Sequence, residues 1–334
     1  MKKQKSYRLI LTVFLVLLVG IVLAAMCIGR YSVSSAEVLR YLFFHVEDNK
    51  MITTVMWSVR IPRILMALIV GAGLSVSGVS LQAMFGNPLV NAHILGVSYS
   101  AGFGAALGIL LFSRFAYVEI LALLFGFVGM ALTYSLSKKR GSSETLMLVL
   151  SGVVVGAVFE ALTSFIKYVA DPEEKLPAIT YWLMGSLTGS SMQDVYRALP
   201  MIGIAVFVLW LLRWRLNVIS LSEDEAASLG INLKRTRLLI VVATTMIAAS
   251  TVAMCGVISF VGLAVPHLTR MVVGNDHKKL LPLSIITGAG YMVIIDTAAR
   301  SISAAEIPLS ILTALIGAPI FALMLRRTGG AWNA

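Results

Sequence analysis

Runs of about twenty mostly apolar residues recur along the chain and constrain its fold more than any other feature. A helix needs about 20 such residues to cross a bilayer, and lipid offers no hydrogen bonds to an exposed backbone. The sequence contains ten candidate spans, at residues 9–28, 61–85, 93–112, 115–136, 145–169, 198–212, 238–257, 259–273, 280–299 and 308–325. They predict an all-α, polytopic membrane protein with about ten transmembrane helices in one domain, residues 1–334.

The charge content supports this prediction. Only 13% of the 334 residues are charged and 58% are hydrophobic, whereas a soluble domain is about 25% charged. This composition excludes a cytosolic enzyme, a disordered tail and a secreted disulfide scaffold. We attribute the net charge of +11 to membrane topology and anionic lipid rather than to nucleic acid.

The distribution of basic residues predicts the orientation. Lys2, Lys3, Lys5 and Arg8 precede the first apolar run, which is longer than the core of a signal peptide, so we expect a retained helix. With the N-terminus inside, most lysines and arginines of the loops fall on that same side. Both termini are therefore expected in the cytoplasm.

Two features inside the spans bear on packing and function. Gly71 and Ser75 are spaced four residues apart, which favours close approach of another helix. Glu160 is the main charge within a span, and Lys167 follows seven residues later on about the same helical face. Glu160 is either a functional group of a transport path or a residue of a wet cavity near the outer mouth.

Motifs of catalysis are not found. The sequence has no H-E-x-x-H, no G-x-S-x-G and no nucleotide-binding G-x-x-x-x-G-K-[ST]. The remaining classes are a channel, a transporter or a scaffold.

The segment 213–237 carries a more specific pattern. Ser222 and Glu225 fit a capping box, Gly230 fits the position after a helix, and a second helix can start at Asn232. Two short helices joined by a glycine turn can dock on a partner. The alternative is a loop lying on lipid headgroups, although anionic lipid repels its three acids.

This segment resembles the coupling loop of the FecCD family, whose members are permease subunits of type II ABC importers for iron chelates, haem and cobalamin. Further motifs agree from residue 60 to residue 327. They are RIPR at 60–63, GNPL at 86–89, YWLMGS at 181–186, FVGL at 260–263, PHLTR at 266–270, Asp296 with Arg300, and LIGAP at 315–319.

The resemblance implies an assembly in the cytoplasmic membrane. It implies a second permease copy, as a homodimer or close heterodimer, two cytoplasmic ATPase subunits and an extracytoplasmic binding protein. This chain is then a transport subunit rather than an enzyme, and it binds no cofactor, because ATP is used by the partner subunits.

The resemblance also implies residue roles. Outer-surface arginines would meet glutamates of the binding protein, at Arg60, Arg63 and Arg300; alternatively, Arg60 and Arg63 extend to lipid headgroups. The coupling loop that enters the ATPase would comprise Ser222, Glu223, Asp224, Glu225, Ala226, Leu229, Gly230 and Asn232. The inner gate would comprise Asn87, Leu89, Ser142, Ser143 and Thr145. Glu160 would line the path.

The expected cargo is a metal chelate, with a ferric siderophore as the first candidate and haem or cobalamin as alternatives. A bare cation would want a dense set of carboxylate or imidazole ligands, which the spans do not carry. A rival hypothesis is a secondary transporter coupled to protons through Glu160. An intramembrane enzyme is disfavoured by the missing catalytic set.

Overall fold

The computed structural model describes residues 2–29, 31, 33–44, 50–112, 115–137, 144–221, 223–303 and 305–328. Every regular element in these ranges is a helix. In chain order they are α1 (Lys2–Cys27), α2 (Ser35–Phe44), α3 (Lys50–Thr54), a π-helical turn (Val55–Arg60), α4 (Ile61–Phe85), α5 (Val97–Leu111), α6 (Phe115–Ser137), α7 (Glu144–Val169), α8 (Lys175–Leu183), α9 (Met192–Leu211), α10 (Arg213–Ile219), α11 (Glu223–Ser228), α12 (Leu233–Cys255), α13 (Val261–Val273), α14 (His277–Ile302) and α15 (Leu309–Thr328).

The ten predicted spans correspond one to one with apolar helices. Within the described ranges, seven helices are long and apolar enough to cross a membrane. Three shorter apolar helices, α5, α13 and the first part of α15, complete the set. The chain is therefore an integral membrane protein.

Helix α4 forms the centre of the bundle and packs against α14, α9, α13 and α12. Gly71 of α4 and Gly288 of α14 touch so closely that a Cβ at either residue would overlap the carbonyl oxygen of the other. This contact confirms the close packing predicted from Gly71 and Ser75. Inside lipid such contacts hold helices together by dispersion, because apolar burial gives no driving force there.

Several helix starts differ from the sequence prediction, and two of them have a clear local cause. The third span begins at Val97 rather than at residue 93, since Gly96 has a positive φ of 77° and precedes the helix. The sixth span begins at Met192 rather than at residue 198, because Ser191 and Asp194 form a capping box. The first turn of this helix contains polar residues, so the apolar run begins only after it.

The bundle has two ends that differ in charge. The basic end holds the start of α1, the turn after α4, the segment from α10 to the start of α12, and the turn between α13 and α14. The opposite end holds the end of α1, the start of α4, α8, and the turn between α14 and α15.

Candidate functional site

The three arginines predicted to dock a partner lie inside the opposite end of the bundle. Arg60, Arg63 and Arg300 are each at most 6% exposed. We expected these guanidinium groups on the surface, and the structure corrects that expectation. The physical reason is that each group finds partners within the chain.

Arg63 joins three segments through two carboxylates. Its Nε donates to both oxygens of Asp296, at 2.8 and 3.0 Å, and its Nη1 donates to Glu306 Oε2 at 2.9 Å. Arg300 lies one turn after Asp296, with its Nε 3.9 Å from Asp296 Oδ2. Asp296 and Arg300 therefore form an ion pair along α14, but Arg63 is the closer partner of Asp296.

The other two guanidinium groups cap the end of α1. Arg60 donates to the carbonyls of Met26 and Tyr31, and Arg300 donates to the carbonyl of Ala25. The last carbonyls of a helix lack partners within it and carry a partial negative charge. No basic residue stands in the last turn of α1, so arginines from α14 and from the π-helical turn before α4 supply the positive charge.

The arginine network extends to the turn after α8. Thr188 Oγ1 donates to Glu306 Oε2 at 2.6 Å, so Glu306 bridges Thr188 and Arg63. The backbone adds two bonds, from Leu309 N–H to Gly185 O at 2.9 Å and from Ser310 N–H to Met184 O at 3.1 Å. Glu306 has a positive φ of 50°, which disfavours a non-glycine residue, and its carboxylate contacts fix that conformation.

A polar cleft of about 300 Å³ lies beside α5 and α7. Glu160 is exposed there, and Lys167 borders the same cleft. The role of Glu160 in lining a path stays a prediction. The other lining residues are His93, Ser98, Tyr99, Gly102, Thr163, Ser164, Leu183, Val257 and Ser259. Within the described part of the chain, Glu160 and Lys167 form no ion pair with each other.

The residues predicted for the inner gate are only partly visible. Asn87 follows α4 at the basic end, and its Oδ1 accepts from Leu89 N–H at 2.9 Å, while the Leu89 side chain is exposed. Ser142 and Ser143 lie outside the described residues, and Thr145 lies in α7 without a described side chain. The gate role stays a prediction.

The predicted coupling segment forms a helix, a glycine turn and a second helix. α11 spans Glu223–Ser228, Gly230 has a φ of 74°, and the Asn232 side chain caps α12 by accepting from Arg235 N–H at 3.0 Å. Ala226 is buried, whereas Glu225 and Leu229 are exposed. Ser222 lies outside the described residues, and the side chains of Glu223 and Asp224 are not described.

A second cavity, of about 490 Å³, opens at the basic end next to this segment. Sequence reasoning missed it, although its Arg270 belongs to the PHLTR motif. Asn217 of α10 holds one wall: its amide donates to Asp276 Oδ1 at 2.9 Å and its oxygen lies 2.8 Å from His277 N and Nδ1. Arg270 borders the space from the last turn of α13.

Comparisons with known proteins show the family to which the chain belongs. The model of the FecCD transport family matches residues 15–327. The molybdate import system permease protein MolB of Haemophilus influenzae is 42% identical over 323 residues, 96% of each chain. The cobalamin import system permease protein BtuC of Halobacterium salinarum is 41% identical over 270 residues, 80% of this chain and 72% of the relative.

A solved structure agrees with these relatives. An inward-facing conformation of a putative metal-chelate type ABC transporter is 42% identical, with a TM-score of 0.87 over 95% of this chain and 99% of that one. Its subunit is similar to this chain in both sequence and helix arrangement. The chain thus belongs to the FecCD transport family, as a permease subunit of an ABC importer and a transport component rather than an enzyme.

Proposed function

We propose that this chain forms the membrane path of an importer that carries a metal chelate inward, with a ferric siderophore as the first candidate cargo. The observation that carries the proposal is the polar cleft beside α5 and α7. Its lining offers hydroxyl groups from Ser98, Tyr99, Thr163 and Ser164 around one carboxylate, Glu160. Hydroxyls bind a polar solute that keeps its own metal ligands, whereas a bare cation requires several anionic or imidazole ligands.

The exposed face of α7 supports a path between two copies of the chain. Val154, Val158 and Phe165 are exposed on this helix together with Glu160 and Ser164. A charged group on a spanning helix favours a water-filled space over lipid. In a homodimer whose α7 helices face each other, the two clefts border one shared path.

The charge of the two ends supports an orientation. Lysines and arginines favour the cytoplasmic side, so the basic end faces the cytoplasm. Both termini then lie on the cytoplasmic side of the cytoplasmic membrane. Two ATPase subunits then bind on α10 and α11, and ATP is used there. A substrate-binding protein meets the opposite end, where Arg60, Arg63 and Arg300 shape the docking surface from inside by fixing α1 against α4 and α14.

Molybdate is a second candidate cargo. The observation that favours it is the 42% identity to a molybdate permease over 96% of each chain. Molybdate also arrives with its coordination sphere complete, and Lys167 at the cleft offers a positive charge to an anion. Relatives with different cargoes share this fold, so the cargo has to be measured.

The test is transport into proteoliposomes that contain this chain, its ATPase and its binding protein. Separate vesicles receive a labelled ferric siderophore, molybdate, haem or cobalamin, each with and without internal ATP. We expect ATP-dependent accumulation of the siderophore. ATP-dependent uptake of another cargo alone would replace the siderophore, and uptake independent of ATP would support a secondary transporter coupled through Glu160.

A further inference from the structure

The cavity at the basic end contains a guanidinium group that the chain itself does not neutralise. Arg270 is half-buried and borders the cavity of about 490 Å³. It makes no hydrogen bond or ion pair with any residue that the structure describes. Its position in the last turn of α13 places it near the negative end of the helix dipole, which stabilises the charge.

Asp276, which stands between the lining residues Asn275 and His277, is already engaged. Asp276 accepts from the Asn217 amide at 2.9 Å and from Lys278 N–H at 3.1 Å, and Lys279 Nζ lies 3.7 Å away. Among the described residues that line the space, none is acidic, and the walls consist mainly of amide groups, one hydroxyl and backbone. The cavity is therefore complementary to a negatively charged group.

The mouth of the cavity adjoins the segment that leads to α11. Asn217 and Ser220 line the space, and Ser220 stands three residues before Glu223, where α11 begins. A protein that covers α11 at this end also covers the mouth.

We propose that the cavity receives a carboxylate side chain of the ATPase subunit, which pairs with Arg270. The inference rests on the proposed function, because it requires an ATPase at the basic end. The coupling segment is expected to insert into the ATPase. In the contact proposed here, a side chain of the ATPase inserts into the permease. A guanidinium grips a carboxylate bidentately, so the pair sets the register of the two subunits as well as their affinity.

Binding of the purified ATPase to the full-length chain in neutral-lipid nanodiscs tests the proposal. We expect Arg270→Gln to raise the dissociation constant at least tenfold. Arg270→Lys should raise it less, because lysine keeps the charge without the bidentate geometry. The matched control is Lys278→Gln, which removes a positive charge from an exposed neighbour outside the cavity and should change the constant less than threefold. Size exclusion and thermal unfolding confirm that each variant is folded.

A labelling experiment locates the contact independently of any loss of charge. Asn275 lines the cavity and is exposed. In a chain with Cys27 replaced by serine and Cys255 replaced by alanine, we expect the variant Asn275→Cys to react with a maleimide. We expect bound ATPase to slow this reaction at least tenfold. Unchanged labelling together with unchanged affinity of Arg270→Gln would overturn the proposal.

Two further results separate the possible failures. If deletion of residues 222–230 abolishes ATPase binding while Arg270→Gln does not, the ATPase docks as expected but not through this cavity. If inorganic phosphate or phosphatidylglycerol discs protect the Asn275→Cys variant without ATPase, and Arg270→Gln binds ATPase normally, the site belongs to a free anion or a lipid. If the ATPase does not bind the unmodified chain, the proposed function fails and this inference fails with it.

Discussion

Arg63 of α4 and Asp296 of α14 form a buried ion pair, with the Arg63 Nε 2.8 Å from Asp296 Oδ1, at the end of the bundle opposite to the basic end. Their side chains are 6% and 1% exposed. A pair at this depth is costly to break from one side, because the remaining buried charge loses its closest partner. The pair therefore holds α4 against α14, and the bond from Arg63 to Glu306 adds the turn before α15.

Replacement of Asp296 by asparagine tests this role. The neutral side chain leaves Arg63 and Arg300 without their shared carboxylate, and we expect a loss of about 3–5 kcal/mol of stability. Thermal unfolding in detergent, followed by tryptophan fluorescence, measures it. Glu173→Gln is the matched control at the same end, since Glu173 is exposed, and its change should stay within about 0.5 kcal/mol. Equal midpoints for the two variants would show that the pair contributes little.

The contact between α4 and α14 has its own test. In Gly288→Ala the new Cβ would lie 2.5 Å from Cβ of Ser75 and would overlap Gly71 O. We expect a loss of about 1–3 kcal/mol or more, because a packed interface does not absorb an added methyl group. Gly20→Ala in α1 is the control, as nothing lies within 4 Å of its Cβ position, and it should be neutral or gain up to about 1 kcal/mol. A stable, monodisperse Gly288→Ala protein would contradict the tight contact.

Glu160→Gln separates ATP-driven transport from proton coupling. The amide keeps the shape and hydrogen bonding of the side chain but does not carry a proton. For an ABC permease we expect the variant to keep at least half of the rate of ATP-dependent uptake, measured with the cargo that the proteoliposome assay identifies. A Thr163→Val variant, at another position of the same cleft, controls for altered lining. Abolished uptake in Glu160→Gln alone would favour the secondary transporter.

Asp276 provides a pH-dependent test at the basic end. Burial alone would raise the pKa of its carboxyl, but hydrogen bonds from Asn217 and Lys278 N–H and the charges of Lys279 and Lys278 lower it below its usual value. A depressed pKa stabilises the folded state above the unfolded value of about 3.9, and this contribution is lost as the pH falls through the folded pKa.

We therefore expect Asp276→Asn to unfold at a lower temperature than the unmodified chain at pH 7, and we expect this difference to shrink as the pH falls below about 3.9. Asparagine keeps the helix cap, so the comparison isolates the charge. Thermal midpoints in steps from pH 7 to pH 3 measure it. A difference that stays constant with pH would assign the effect to the side-chain amide rather than to ionisation.

The spans could be predicted from the sequence because hydrophobicity is a local property. Residues 61–85 were predicted with the bounds that α4 has, since Pro62 suits a helix start and Gly86, with a φ of 57°, ends it. The short polar starts of helices, such as Ser191–Asp194, depend on hydrogen bonds that hydropathy does not record.

The arginine network could not be predicted in the same way. The sequence shows that Arg60, Arg63 and Arg300 are charged, but their partners are the carbonyls of α1 and the acids Asp296 and Glu306, which are distant in the chain. The cavity around Arg270 was missed for a related reason. Its walls come from α4, α10, α13 and the start of α14, so it exists only once these helices have packed.

The bridge from Arg63 through Glu306 to Thr188 also restricts how this end of the molecule can open. The turn after α8 cannot shift alone without breaking the Thr188–Glu306 bond and the two backbone bonds between 184–185 and 309–310. Displacing Glu306 would in turn remove one carboxylate from Arg63. These segments are therefore linked to one another and to α4 and α14. If the chain pairs as the proposed homodimer, we expect a passage at this end to open by separation of the two copies rather than by movement of one turn within a single chain.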